Sequence, residues 1–211
     1  LVGTNNLSTA IIILGIAVIV VFVSDKRYMQ FVWIAAAGAG MMALFLGMES
    51  YRLERIAIWK NPEAYEKGYQ TIQGLYAIGS GGLFGRGFGE SIQKLGFVPE
   101  AQNDMIFSII CEELGFVGAT ILMLVFLVLI WRFMVIAVHA PDLFGSLIAA
   151  GAMGHIAIQV ILNVAVVTNT IPNTGITLPF ISYGGTSVLF LLSEMGLVLA
   201  VSRWQSEKKC I

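Results

Sequence analysis

Residues 114–134, LGFVGATILMLVFLVLIWRFM, hold a single charged side chain, Arg132, in 21 positions. At 1.5 Å of rise per residue, a helix of this length crosses a hydrocarbon core of about 30 Å. Four further runs have the same character: residues 7–23, 28–48, 143–167 and about 181–201, the last enclosing Glu194. The expected fold is therefore an all-α polytopic membrane protein. An odd count of five transmembrane helices puts the two ends of the chain on opposite faces. Composition agrees, with 57% hydrophobic and 12% charged residues against roughly 25% charged in a soluble domain. The net charge of −1 gives no reason to expect a nucleic-acid partner. Cys111 and Cys210 lie far apart without metal-ligand spacing, which supports neither a disulfide framework nor a zinc site.

The opening LVGTNNLSTA lacks an initiator Met and a basic leader. It does not resemble a signal peptide and is expected to come from the interior of a longer chain. Lys and Arg in short connections assign sidedness. Lys26 and Arg27 follow the first run, Arg132 and His139 lie between the third and fourth, and Arg203, Lys208 and Lys209 follow the fifth. These connections are assigned to the cytoplasm, which places segments 49–104 and 168–180 outside. The chain is expected to be one membrane domain, 1–211, with 49–104 as a large extracytoplasmic loop. So long a connection works or is disordered. Its spread of apolar and aromatic residues (Trp59, Tyr65, Tyr69, Leu75, Phe84, Phe88, Phe97) argues against disorder.

In PEAQNDMIF, Asp104 stands where the loop runs into apolar sequence. Asn103 and Asp104 are both good N-cap residues. A carboxylate partly desolvated at a membrane boundary also gains basicity and suits a general base. It has company in Glu100, Glu112 and Glu113. The last two are either a buried hydrogen-bonded pair or substrate contacts, because ionisable groups at such depth face protein or water. Arg52 and Arg55, three apart on one helical face, match phosphate geometry or else reach toward lipid headgroups. Lys94 adds a cation to the same loop. The six glycines from Gly79 to Gly89 fit neither a Walker loop nor a dinucleotide fingerprint. They form an anion nest or a set of tight turns. His155, Gln159 and Asn163 recur at i, i+4 and i+8 as a polar stripe, suited to interhelical hydrogen bonds or a proton relay. Irregular backbone in NTGITLPFISYGGTS, with Ser182 and Tyr183, suggests a cavity wall.

Three segments together resemble the SEDS family of bacterial membrane glycosyltransferases (FtsW, RodA, SpoVE). They are YRLERIAIWKNPE…GYQTIQGLYAIGSGGLFGRGFG, QKLGFVPEAQNDMIFSIICEELG and PNTGITLPFISYGGTS. The QKL before PEA is closer to the FtsW/SpoVE branch. The resemblance implies the C-terminal half of an about ten-helix protein that polymerises lipid II into glycan strands outside the cytoplasmic membrane. The family's essential aspartate falls on Asp104, which would deprotonate an acceptor sugar hydroxyl. Arg55, with Arg52 and Lys94 or a divalent cation (Mg or Mn), would stabilise the departing undecaprenyl diphosphate. Glu100, Glu112, Glu113, Ser182 and Tyr183 are the further candidate substrate contacts. A class B penicillin-binding protein, a transpeptidase, is the implied partner. The chain departs from the family's PEAHTDFIF at Gln102, Asn103 and Met105, and Asn6 replaces a carboxylate. The rival expectations are a lipid II flippase, for which the His155 stripe would be essential, and a scaffold for the transpeptidase.

Overall fold

The computed structural model describes residues 7–24, 29, 32–33, 36–38, 40 and 50–208. Helix α1 spans Leu7–Ser24, α2 Ser50–Lys60, α3 Tyr69–Gly81, α4 Ile106–Val138, α5 Leu143–Val167 and α6 Gly185–Lys208. Single 3-10 turns occupy Pro62–Ala64, Glu66–Gly68 and Gln93–Leu95, and no strand occurs among the described residues. Among the described residues, three helices are long and apolar enough to cross a membrane: α4, α5 and residues Gly185–Gln205 of α6. The first expected run forms α1, while most of the second, 28–48, lies outside the described residues, as do Asn6, Lys26 and Arg27. The chain is a multi-pass, all-helical membrane protein.

Two helix starts differ from expectation. The fifth run begins as a helix at Gly185, not near residue 181. Pro179 offers no amide, Phe180 is left-handed (φ 64°), and the Ser182 hydroxyl takes the Leu178 N–H at 2.7 Å, so local turns win over helix there. The third run extends back to Ile106, but α4 is broken at Gly115 (φ 67°, ψ −170°). The 23 residues after the break suffice to span a bilayer. The short segment before it carries Glu112 and Glu113.

The chain forms two compact units. One contains residues 1–45, 126–158 and 185–211, and the other residues 46–125 and 159–184. In the first, His155 Nδ1 on α5 lies 2.9 Å from Glu194 Oε2 on α6, a polar pair joining two apolar helices.

The second unit holds the loop. Its α3 buries a face of small residues, Thr71, Gly74, Ala77 and Gly81, which lets the backbone of α4 come close. A Cβ added to Gly81 would lie 1.9 Å from the Cys111 carbonyl oxygen. Beyond α3 the glycine-rich loop completes the broken helix. Glu112 and Glu113 carbonyls accept the Arg86 and Gly87 amides at 2.9 and 3.0 Å. The Phe116 and Val117 amides donate to Gly82 and Leu83 carbonyls at 2.9 and 3.1 Å. A helix break exposes such groups in pairs, and burial requires that each find a partner. Gly85 (φ 78°) has no room for a side chain, since a Cβ would lie 2.1 Å from the Glu113 carbonyl oxygen. The tight-turn reading of the glycines is the one the structure displays.

Candidate active site

Asp104 lies in a run of turns, residues 101–105, one residue short of the residue preceding α4. It is therefore not the N-cap of that helix, and its carboxylate is directed to other partners. The turn forms because Glu100, left-handed at φ 54°, offers its carbonyl to the Asn103 amide at 2.9 Å. Asn103 Nδ2 also donates to the Glu100 carboxylate.

Three neighbours fix the turn from outside. Asn163, fully buried, donates through Nδ2 to the Asp104 carbonyl at 2.8 Å and to that of Ile176 at 2.7 Å. The Ser182 hydroxyl donates to the Asn103 carbonyl at 2.7 Å, and the Tyr183 amide donates to that of Gln102 at 2.8 Å. Gln159, one turn before Asn163, donates to Thr177 Oγ1 at 3.2 Å. Members of the polar stripe thus act as hydrogen-bonding glue, with Asn163 holding the backbone of Asp104 itself.

The Asp104 side chain lines a cavity of about 240 Å³ together with Arg55, Trp59, Lys67, Gln70 and Asn173. The residue is only 8% exposed. Gln70 Nε2 reaches both carboxylate oxygens, at 3.3 and 3.4 Å. Burial pushes the Asp104 carboxyl above its ordinary value, Glu100 adds to the rise, and the Gln70 amide and backbone amides of the turn oppose it. The upward influence prevails, so the group is a stronger base than a solvated aspartate. Arg55 Nη1 donates to the Asn173 carbonyl at 2.8 Å, and Lys67 pairs with Glu54 at 3.0 Å across the cavity's exposed side. A desolvated carboxylate beside two cations can take a proton from a hydroxyl while an anionic group is held nearby.

The other candidates sit elsewhere. Glu112 is fully buried and accepts from the Ser91 hydroxyl at 2.5 Å and the Ile92 and Gln93 amides at 3.3 Å, with Arg86 Nε at 3.6 Å. Glu113 takes Lys94 Nζ at 2.7 Å and the Gly89 amide at 3.0 Å. Lys94 is thus engaged with a carboxylate of α4 and does not line the Asp104 cavity. The anion held by the glycine loop is the chain's own Glu113. Lys94, Glu100 and Tyr183 line a second, open recess on the 98–103 side of the turn, where the Tyr183 ring is well exposed. Arg52 lies on α2, but its side chain is outside what the structure describes. Gln70 and Asn173 escaped sequence reasoning, since an amide carries no motif; the only signal was polarity within the GYQTIQG and PNTGI segments.

The geometry has known counterparts. The profile of a family described as Cell cycle protein, covering FtsW, RodA and SpoVE, matches residues 1–207. Stage V sporulation protein E of Bacillus subtilis (strain 168) is 47% identical over 202 residues, 94% of this chain and 55% of that protein. A protein named "Probable peptidoglycan glycosyltransferase FtsW" from Trichlorobacter lovleyi is 41% identical over 204 residues, 93% of this chain and 52% of that one. Among solved structures, one of a peptidoglycan synthase complex described as coordinating polymerization and crosslinking superposes with TM-score 0.75 at 30% identity. It covers 96% of this chain and 57% of that one. A variant of the Thermus thermophilus rod shape determining protein RodA gives TM-score 0.62 at 29% identity, over 96% and 51% of the two chains. The chain spans about half the length of the relatives it matches.

Proposed function

Because the chain belongs to the FtsW/RodA/SpoVE family of cell cycle proteins, we propose that it is the C-terminal half of a peptidoglycan glycosyltransferase with Asp104 as its general base. The observation that carries this reading is the buried, proton-avid Asp104 carboxylate in a cavity shared with Arg55 and Lys67. Two relatives' names and structures point to polymerised peptidoglycan. The substrate is lipid II, and the cavity faces outward, a placement supported by the Lys and Arg of the short connections in the sequence.

The acceptor sugar hydroxyl is placed against Asp104, which removes its proton as the oxygen attacks the anomeric carbon of the donor. The bond from that carbon to the diphosphate breaks, and undecaprenyl diphosphate leaves with the electron pair. Arg55 and Lys67 counter the charge that develops on the phosphate oxygens. Arg52 belongs to the same helix face and is proposed to join them. The described carboxylates of the cavity are already partnered and do not form a site that fits magnesium or manganese. Among the described residues no three His, Cys, Asp or Glu side chains gather as a metal site, Glu54 is paired with Lys67, and Asp104 is held by Gln70. A class B penicillin-binding protein is the proposed partner, by analogy with the solved synthase complex.

A flippase is the second reading, favoured by the His155–Glu194 pair between membrane-crossing helices. Two measurements on the intact purified protein separate the two: polymer formed from labelled lipid II in detergent, and lipid II transport across reconstituted vesicles. Polymer that disappears with Asp104→Asn supports the transferase. Lipid II transport without polymer, sensitive to His155→Ala and indifferent to Asp104→Asn, supports the flippase and overturns the first reading.

A further inference from the structure

A glutamine amide can present either its oxygen or its nitrogen to a neighbour, and only the nitrogen attracts a carboxylate. In this site the choice is made by a chain of contacts that ends on a group unable to turn over. The Gly175 amide, which can only donate, gives its hydrogen to Asn173 Oδ1 at 2.9 Å. That sets the Asn173 amide nitrogen toward Gln70, whose Oε1 it reaches at 3.3 Å. Gln70 Oε1 is thereby occupied, and Nε2 is turned to the two oxygens of Asp104. The main chain of Asn173 is held in turn by Arg55 at 2.8 Å.

We propose that Gln70, locked in one orientation by Asn173, is a positioning residue that aims the Asp104 carboxylate into the cavity. The inference rests on the reading of Asp104 as the base and adds to it the residues that aim it. Donation by Gln70 also offsets part of the effect of burial on Asp104, keeping more of the carboxylate in the charged form that takes a proton. Among the described residues, the charged groups around the carboxylate are few. Helix α2 brings Glu54 and Arg55, the turn before α3 brings Lys67, and the Asp104 turn itself brings Glu100. The segment from Asn169 to Gly175 contributes only uncharged groups to the cavity.

The test uses the intact protein and labelled lipid II, with kcat and KM measured across pH. Gln70→Ala is expected to lower kcat about tenfold, leave KM within about twofold, and move the acid limb of the profile to higher pH. Asn173→Leu, nearly isosteric and uncharged, removes the donor to Gln70 Oε1 and leaves the glutamine free to turn that oxygen to Asp104. It is expected to move the limb the same way, and the double variant to move it no further than Gln70→Ala alone. Gln70→Glu keeps the shape should Gln70→Ala fold poorly, and by setting a second carboxylate against the first is expected to raise the limb further. Acid limbs unchanged in Gln70→Ala and Asn173→Leu, or in Gln70→Glu and Asn173→Leu where Gln70→Ala folds poorly, overturn the positioning role, whatever happens to the rate. Failure of the underlying reading looks different: Asp104→Asn then polymerises like the unmodified protein.

Discussion

Asp104 is subject to two opposed influences, burial that disfavours its charge and amide donors that favour it, and burial prevails. On the proposed reading of Asp104 as a base, which must be ionised to act, polymerisation by the intact protein is expected to fall as pH drops through a value above the usual carboxylate range. A profile flat to pH 4 would contradict this. The same imbalance sets the sign for stability. With the folded-state pKa raised above the unfolded one, protonation favours the fold, and ionisation on raising the pH weakens it. Asp104→Asn is therefore expected to lose about 10²–10⁴-fold in polymerisation while the unfolding temperature at pH 7 stays equal or rises. Replacing Glu112 is expected to have the opposite effect on stability, because its buried carboxylate accepts from Ser91, Ile92 and Gln93. Glu112→Ala is expected to destabilise by about 3–5 kcal/mol, read by thermal unfolding in detergent, with Glu112→Gln milder. The sequence placed Asp104 at the boundary because its polarity breaks an apolar pattern. It did not reveal Gln70, 34 residues earlier, or Asn173, because contacts across such separations leave no periodic trace.

Among the elements, the membrane-crossing helices were the most legible, since hydropathy alone decides them, and α5 begins and ends where its apolar run does. The break in α4 was not, because a glycine inside an apolar helix signals nothing until the strand of chain that repairs it is known. Close packing gives a sharp comparison within α3. Gly79 has open space around its Cβ position, whereas a Cβ on Gly81 would collide with the backbone of Cys111 and Glu112. Gly79→Ala is expected to stabilise by about 0.5–1 kcal/mol through helix propensity. Gly81→Ala is expected to lower the unfolding temperature and the yield of folded protein. Equal effects from the two would refute close approach of α3 and α4.

For the molecule as a whole, the arrangement of Lys and Arg yields an orientation that cysteine labelling can check. In an intact, otherwise cysteine-free protein, Phe88→Cys, on the exposed glycine loop, is expected to react with a membrane-impermeant maleimide from outside. Val138→Cys, at the exposed end of α4, is expected to react only after permeabilisation. The reverse pattern would place the Asp104 cavity on the cytoplasmic side. Sidedness is an expectation drawn from the sequence alone, because charge near the ends of apolar runs governs it. The enclosure around Asp104 was not legible there, because it is assembled from four separate stretches of the second unit. The stitched break in α4 also bears on how such a chain is made. Residues 82–87, whose amides and carbonyls complete the helix at Glu112–Val117, leave the ribosome before α4 does. The insertion machinery thus receives the repair before the break, and the interrupted helix need never meet lipid with its main chain open. Severing the chain between residues 88 and 104 and supplying the second piece first would reverse that order.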